Sequence, residues 1–360
     1  MKQNIISLHG SYFGKNYGDI LLVNLFAKWI RSSCPNTEIN MPLGARSTAP
    51  DLDYDTTGIM NLLRSKALIF CGGGYFGEKP KHYQRWAMRN FQRHGIIGLM
   101  AVLFHIPFAI IGVEFGPISS CWFRKFCIWL AKHASVVVVR NEESLNFLSY
   151  NGISNAVLSA DAVLTLSDVI KPNNNNNIEV PNIVIHMDII TVSYLDSTLL
   201  LIKSITDAAK ETFSDFNLLI ISDGTERWFD QPSFVPVLTY LSQNKINYKI
   251  YPYETCQKLI DIINSSQYII TTKLHVGITS LALNKRVFSF WTHRKTPRMH
   301  KMADNEQFCV EFHSINENIK DTLKSFFCTP CYKLNPELKE KAKRNRYELE
   351  KFFQSFSTIQ

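Results

Sequence analysis

Short apolar segments alternate with longer amphipathic segments along most of the chain, and this alternation restricts the fold more than any other feature. Short apolar runs predict buried β-strands, and the amphipathic stretches between them predict helices. Strands that alternate with helices form parallel sheets that helices cover. The predicted strands of the first half are Ile5–Leu8, Ala67–Phe70, Phe108–Val113 and Val136–Val139. The predicted helices there are Ile20–Arg31, His82–Phe104, Trp122–His133 and Glu142–Tyr150.

The alternation stops at Ser167–Pro181 and then resumes. This segment holds five consecutive asparagines between two prolines, so it cannot bury a core face and is predicted to be a linker or exposed loop. The predicted strands after it are Ile183–Met187, Leu218–Ile221, Tyr248–Tyr251, Tyr268–Thr271 and Arg286–Phe290. We therefore expect an α/β fold of two Rossmann-like domains facing a cleft. The expected divisions are residues 1–168, a linker at 169–181, residues 182–332 and a C-terminal amphipathic helix at 333–360, which packs on a domain surface or, less favoured, on a membrane.

The composition is that of a basic globular protein. The 360 residues are enough for two domains, and 46% of them are hydrophobic while 19% are charged. The formal net charge of +8 favours an anionic partner such as a phosphorylated substrate, a lipid surface or a nucleic acid. The basic residues are dispersed instead of interleaved with aromatic residues along one element, so nucleic acid is not an expected partner.

One apolar stretch, Ile96–Val113, has the length of a membrane span. His105 and Pro107 interrupt it, and its second half is rich in β-branched residues, so we interpret it as a helix followed by a buried strand. The first nine residues have the pattern of a strand and lack a cleavage site. We therefore expect a cytoplasmic protein with its eight cysteines reduced, and peripheral contact with the inner face of the membrane is an option.

Polar or glycine-rich segments follow the first predicted strands, where parallel α/β folds bind ligands. The loop after the first strand carries Tyr12, Asn16 and Asp19. Asp19 is expected to cap the next helix, and a helix N-terminus there can receive an anionic group. Gly73 and Gly74 lie in a bare turn that can approach a ligand closely, although a turn required by geometry alone is the alternative.

Charged residues follow two further strands. Arg140 comes after a run of four valines, and arginine can bind a phosphate or carboxylate with two bonds. A salt bridge is the alternative for Arg140, and helix capping is favoured for Asp161. Lys273 and His275 lie just past the strand Tyr268–Thr271, on one face of the chain, where a helix is expected to begin. An anion would bind there and His275 could move a proton, although a histidine that bonds a backbone carbonyl is the alternative.

Two patterns resemble metal sites but do not satisfy their requirements. The acidic segment Asp51–Asp55 lacks the glycine and glutamate that an EF-hand needs, so a solvated loop is favoured. The second pattern is a group of possible zinc ligands, namely Cys309, His313, Cys328 and Cys331. It contains only one short-spaced cysteine pair, so a zinc site is not favoured. We expect no metal and no cofactor.

Five motifs together resemble the polysaccharide pyruvyl transferase family. They span Tyr12–Phe290 in the family's order and are "YFGKNYGD", "ALIFCGGGYF", "IIGVEFGP", "VVVVRNEESLNFLSYNGISNAVLSADAVL" and "YIITTKLHVGITSLALNKRVFSF". The resemblance implies a fold like that of the GT-B glycosyltransferases. It also implies transfer of pyruvate from phosphoenolpyruvate to two hydroxyls of a sugar as a cyclic ketal. One position departs from the family, because Lys273 stands where arginine is usual and lacks its planar fork.

The resemblance and the residue chemistry together define the expected site. The catalytic candidates are His275 and Asp19. The donor-binding candidates, in the C-terminal domain except for the first, are Arg140, Lys273, Leu274, Arg298 and Lys301. The acceptor-binding candidates, in the N-terminal domain, are Tyr12, Asn16, Gly73, Gly74 and Glu78. The expected acceptor is an oligosaccharide or a lipid-linked glycan, and a GT-B-like glycosyltransferase that uses a nucleotide sugar is the alternative function.

Overall fold

The chain forms two compact units. A computed structural model describes residues 4–14, 16–44, 51–77, 82–173, 179–187, 195–224, 232–292, 294–316 and 318–357. Unit 1 comprises Met1–Val163 and Lys339–Gln360, and unit 2 comprises Leu164–Leu338. The division thus lies just before the predicted linker, of which residues 174–178 lie outside the described residues.

Unit 1 is built on a parallel sheet with the described strand order β3-β2-β1-β4-β5-β6-β7, in which the direction of progression reverses between β1 and β4. The strands are β1 (Asn4–His9), β2 (Thr37–Met41), β3 (Thr56–Thr57), β4 (Ala67–Cys71), β5 (Phe108–Val113), β6 (Val136–Val139) and β7 (Val157–Leu158). The helices are α1 (Tyr17–Ser33), α2 (Ile59–Leu63), α3 (Tyr83–Asn90), α4 (Ile96–Leu103), α5 (Cys121–His133) and α6 (Glu142–Tyr150). Every residue of β4 and β5 is buried, as expected for central strands with helices on both faces.

Unit 2 repeats the same topology, with the described strand order β10-β9-β8-β11-β12-β13. The strands are β8 (Asn182–His186), β9 (Asn217–Ile221), β10 (Tyr248–Tyr251), β11 (Tyr268–Thr271), β12 (Arg286–Trp291) and β13 (Cys309–Glu311). The helices are α7 (Leu195–Thr212), α8 (Val235–Gln243), α9 (Cys256–Asn264), α10 (Leu274–Ala282), α11 (Lys295–Met302) and α12 (Ile319–Phe327), with α13 (Pro336–Ser357) following. Each unit therefore has the Rossmann strand order, which confirms the predicted pair of Rossmann-like domains.

The elements predicted for unit 1 differ from the structure at one helix and omit the strand β2. The helix predicted over His82–Phe104 is divided into α3 and α4 by a π-helical turn at Phe91–Gly95, a feature that apolar periodicity does not reveal. The strand β2 escaped prediction because polar residues occupy part of it, and Asn40 is accommodated by a 2.8 Å hydrogen bond from its side-chain amide to Ser7 Oγ. The stretch Ile96–Val113 forms α4 and β5, and none of the described helices is long and apolar enough to cross a membrane.

Candidate active site

Three neighbouring strands of unit 2 bring charged residues together at their carboxyl ends. β9, β8 and β11 are adjacent in the sheet, and Asp223, His186 and Lys273 lie at or just past their ends. His186 Nε2 lies 3.1 Å from one carboxylate oxygen of Asp223, and Lys273 Nζ lies 3.6 Å from the other. The His186 side chain is fully buried, whereas that of Lys273 is 31% exposed. We refer to these three residues as the Asp223 cluster.

Asp223 keeps its negative charge within this cluster. Burial on its own would raise the pKa of the carboxyl, but the proximity of His186 and Lys273 outweighs burial and lowers the pKa to about 2. Neither ring nitrogen of His186 has a well-aligned hydrogen bond to any residue that the structure describes, so its contact with Asp223 is a close electrostatic approach. The sequence analysis did not single out Asp223 or His186, although Asp223 follows one predicted strand and His186 lies near the end of another.

Lys273, Leu274 and His275 lie at the strand-to-helix junction that the sequence predicts. Lys273 is the N-cap residue of α10, which begins at Leu274, and its backbone N–H bonds Thr271 Oγ1 at 3.0 Å. His275 therefore lies in the first turn of the helix, partly buried and near the positive end of the helix dipole. A cation, an imidazole and a helix N-terminus thus occupy one place, which is an arrangement that can bind an anion.

The helix α11 carries the basic residues that follow β12. Arg298 is partly buried and Lys301 is exposed, and their donor-binding role stays a prediction. His300 on the same helix is a structural residue, because Nε2 lies 2.7 Å from Ser289 Oγ and Nδ1 lies 3.0 Å from the Asn305 carbonyl oxygen. Burial lowers the pKa of His300 to about 4, so its ring is neutral at neutral pH.

Arg140 lies in a buried salt-bridge network in unit 1. Its two terminal nitrogens each lie 2.9 Å from a carboxylate oxygen, one of Glu114 and one of Asp161. Burial on its own lowers the pKa of Arg140, but the two carboxylates outweigh burial and raise it. Asp161 also caps the following turn by accepting the Val163 N–H at 3.1 Å, the role that the sequence favours. A donor anion would have to compete with two carboxylates for Arg140, whose role in donor binding stays a prediction.

The N-cap of α1 is Asn16 and not Asp19. The side chain of Asn16 accepts the Gly18 N–H at 3.0 Å, and Asp19 lies in the first turn of the helix. The expectation that Asp19 caps this helix is wrong, because Asn16 is the extended residue that directly precedes the helix and reaches its first free amides. A carboxylate in a first helical turn is stabilised by the helix dipole, and the catalytic role of Asp19 stays a prediction.

The turn after β4 requires glycine for its geometry. Gly72 and Gly73 have φ values of +50° and +84°, and a Cβ atom at Gly72 would lie 2.8 Å from the Leu22 side chain. The carbonyl oxygen of Gly73 accepts the Glu114 N–H at 2.9 Å. Packing thus accounts for these glycines, and acceptor binding by Gly73 and Gly74 stays a prediction. Glu78 lies outside the described residues.

A buried polar chain at the end of β1 was missed by the sequence analysis. His9 Nδ1 lies 2.9 Å from the Tyr12 hydroxyl, and His9 Nε2 lies 2.9 Å from His94 Nδ1. The π-helical turn presents His94, whose ring stacks on Tyr75 at a centroid distance of 4.2 Å. Burial lowers the pKa of His9 to about 3 and that of His94 well below its usual value. Tyr12 is 1% exposed, so it could contribute to acceptor binding only by holding the loop after β1 in place.

The acidic segment that resembles a metal loop pairs with an arginine in the structure. Arg31 of α1 pairs with Asp53 at 2.8 Å and with Asp55 at 3.1 Å, which anchors the acidic segment to the helix. Among the described residues, no group of three or more His, Cys, Asp or Glu is arranged to hold a metal ion.

Known structures share this fold at low sequence identity. The UDP-GlcNAc 2-epimerase of Neisseria meningitidis, bound to UDP-GlcNAc, is 11% identical with a TM-score of 0.60, covering 97% of this chain and 100% of its own. The enzyme from Methanocaldococcus jannaschii is 11% identical with a TM-score of 0.61, covering 96% and 99%. The enzyme from Rickettsia bellii is 11% identical with a TM-score of 0.60, covering 99% and 97%. At these identities the likeness shows the fold alone, which is GT-B-like.

The family assignment comes from the sequence. A comparison with curated proteins finds no match. The sequence model of one family, described as polysaccharide pyruvyl transferase, matches residues 16–294. This range begins at the N-cap of α1 and includes the junction of β11 with α10 and most of both sheets. The chain is therefore a transferase that belongs to the polysaccharide pyruvyl transferase family.

Proposed function

We propose that the protein transfers pyruvate from phosphoenolpyruvate to two hydroxyls of a sugar, forming a cyclic ketal and releasing phosphate. The observation that carries this proposal is the position of Lys273, Leu274 and His275 at the junction of β11 and α10. Phosphoenolpyruvate has a phosphate and a carboxylate, and a cation beside a helix N-terminus suits either group. Arg140, Arg298 and Lys301 are further candidates for binding these charges.

The proposed reaction needs proton transfer but no metal or cofactor. Carbon 3 of the enol gains a proton, and one sugar hydroxyl loses its proton as it attacks the central carbon. The bond between the central carbon and the phosphate oxygen then breaks. The second hydroxyl attacks the same carbon and closes the ketal, and its proton passes to the leaving phosphate. His275, with Asp19 as a second candidate, would exchange a proton in one of these steps.

The acceptor would be a cell-surface polysaccharide or its lipid-linked precursor. The residues proposed to bind it are Tyr12, Asn16, Gly73, Gly74 and Glu78. The net charge of +8 would favour contact of a cytoplasmic protein with the anionic inner face of a membrane, where a lipid-linked precursor is found.

A glycosyltransferase that uses a nucleotide sugar is the second candidate. It is favoured by the fold shared with proteins whose structures contain UDP or UDP-GlcNAc. The two functions predict different donors, so protection from thermal unfolding by phosphoenolpyruvate or by UDP-sugars distinguishes them.

The decisive experiment is incubation of the purified protein with phosphoenolpyruvate and a panel of glycans. Phosphate release together with the mass increase of a pyruvyl ketal on one glycan would support pyruvyl transfer. Release of UDP from a UDP-sugar with glycan elongation, and no ketal formation, would contradict it.

A further inference from the structure

Lys273 needs a partner that fixes its ammonium group if it is to bind an anion at a defined position. A lysine head group is a point charge on a flexible four-carbon stem and lacks the planar geometry of arginine. The Lys273 side chain is 31% exposed, so burial alone does not hold it. The Asp223 carboxylate lies 3.6 Å from Nζ, which places a negative charge beside the ammonium.

Asp223 lies in a largely buried position just past the end of β9. Asp223 is 9% exposed, and the preceding Ser222 accepts the Tyr253 N–H through its hydroxyl at 2.8 Å. His186 approaches the other carboxylate oxygen at 3.1 Å. The carbonyl oxygen of His186 accepts the Thr272 N–H at 3.1 Å, which ties the end of β8 to the residue next to Lys273. The Asp223 cluster is therefore supported by backbone on three adjacent strands.

We propose that Asp223, supported by His186, is a positioning residue that fixes the ammonium of Lys273 for the anionic group of the donor. This inference rests on the proposed function, since it assumes that Lys273 meets the donor. A carboxylate beside an anion site also repels the anion. Asp223 can position the anion only through Lys273, whereas its repulsion of the anion acts whether or not Lys273 is present. Removal of Lys273 therefore separates the two effects.

The test is a double-mutant cycle with Asp223→Asn and Lys273→Met, in which KM and kcat are measured for phosphoenolpyruvate. In the parent protein, Asp223→Asn should raise KM about fivefold to tenfold, which is typical of coupling between contacting residues, while kcat falls less. In the Lys273→Met background the same substitution should leave KM unchanged or lower it, because only repulsion is then removed. An equal change of KM in both backgrounds would overturn the proposal.

A second variant separates position from charge. Asp223→Glu keeps the negative charge but moves it by one methylene, so it should also raise KM, and an unchanged KM would show that position is irrelevant. It also replaces Asp223→Asn if that variant fails to fold. Glu211→Gln is the matched control, because Glu211 pairs with Lys320 and Lys324 on the surface of unit 2 and should leave KM unaltered.

Binding of inorganic phosphate, measured by calorimetry, keeps this inference distinct from the proposed function. If phosphoenolpyruvate is not a substrate but phosphate affinity depends on Asp223 only when Lys273 is present, the proposed function fails and the positioning role is supported. If pyruvyl transfer occurs but neither KM nor phosphate affinity shows this dependence, the positioning role fails and the proposed function is retained.

Discussion

The histidines near the strand ends differ in whether they can meet a ligand. His300 is 1% exposed and bonds Ser289 and a backbone carbonyl, and His9 is fully buried between Tyr12 and His94. His275 is only partly buried and lies in the first turn of α10. Nearly complete burial is typical of structural histidines, so the partly buried His275 is the stronger candidate for proton transfer.

The first prediction concerns the turnover of His275→Ala. Loss of a general acid or base typically costs on the order of a hundredfold or more in rate, so kcat should fall by at least that order. The melting temperature should change little, because the side chain is not part of a buried core. The exposed His313 provides the control, and His313→Ala should retain full activity. Turnover near that of the parent protein in His275→Ala would identify His275 as a structural residue.

The second prediction concerns the charge at position 273. Lys273→Ala should raise KM for the donor more than it lowers kcat, because a fixed charge is lost. Lys273→Arg restores the residue usual in the family together with its planar fork, so activity should be retained or improved. Steady-state kinetics with phosphoenolpyruvate measure both effects, and loss of activity in Lys273→Arg would contradict a pyruvyl transfer site at this junction.

The third prediction concerns the salt-bridge network of Arg140. Arg140→Ala would leave the carboxylates of Glu114 and Asp161 buried without their cation, and breaking such a network typically costs about 3–5 kcal/mol. We therefore expect a clear drop in the free energy of unfolding by urea. Arg31→Ala, which breaks partly exposed pairs with Asp53 and Asp55, should cost less than Arg140→Ala because those carboxylates stay in contact with solvent. Unchanged stability with weakened donor binding would instead show that Arg140 serves the donor.

At the scale of elements, the buried strands are predictable and the turns between them are less so. The bounds predicted for β5, β6, β10 and β11 agree with the structure, and for β5, β6 and β11 the reason is that continuous apolar runs mark strands covered on both faces. The N-cap of α1 was misassigned because Asn16 and Asp19 are both good capping residues and only the backbone decides between them. The π-helical turn that presents His94 has no signature in the apolar pattern.

The candidate site likewise has residues that the sequence reveals and residues that it does not. Lys273 and His275 were found because the sequence places them directly after an apolar run. Asp223 and His186 were missed as neighbours of Lys273 because the three residues come from strands that lie far apart in the sequence, and their adjacency depends on the strand order of the sheet. A rule that is applied to each strand separately does not reveal which strand ends meet.

The fourth prediction concerns the two imidazoles that join β1 to the π-helical turn. A histidine in the unfolded chain has a pKa near 6.5, whereas His9 in the folded protein has a pKa of about 3. Between these pH values the unfolded state therefore binds more protons than the folded state. The free energy of unfolding should therefore fall as the pH drops below 6.5, by about 2 kcal/mol at pH 5 from His9 alone. Urea unfolding at pH 7 and pH 5 measures this fall.

Variants assign that acid sensitivity to the pair. His94→Gln keeps a hydrogen-bonding side chain next to His9 but removes one imidazole, so its stability should depend less on pH between 7 and 5. The exposed His133 supplies the control, and His133→Gln should show the same dependence as the parent protein. A fall in stability that is equally steep in all three proteins would place its origin elsewhere.

At the scale of the whole molecule, unit 1 is completed by residues from the end of the chain. The helix α13 begins at Pro336, and its residues from Lys339 onward belong to unit 1 although they follow unit 2 in sequence. Asn345 is fully buried, and its side-chain amide donates to the Ala160 carbonyl oxygen at 2.9 Å. The Ser159 hydroxyl donates to the Lys341 carbonyl oxygen at 2.8 Å. The stability of unit 1 should therefore depend on α13.

The last prediction tests this dependence with Asn345→Ala. The substitution removes the Asn345 donor from the Ala160 carbonyl oxygen and leaves it the 3.2 Å contact with the Ser159 hydroxyl, and loss of one such hydrogen bond typically costs about 0.5–1.5 kcal/mol. Hydrogen exchange should become faster in unit 1, particularly near β7, while exchange in β9 and β10 of unit 2 stays as in the parent protein. Arg346→Ala is the matched control, because Arg346 lies next to Asn345 but on the exposed side of the helix, where it pairs with Glu350 and makes a long, exposed contact of 3.4 Å with Ser32 of α1. If Asn345→Ala and Arg346→Ala affect exchange equally, or if the faster exchange extends over both units, α13 does not stabilise unit 1 specifically.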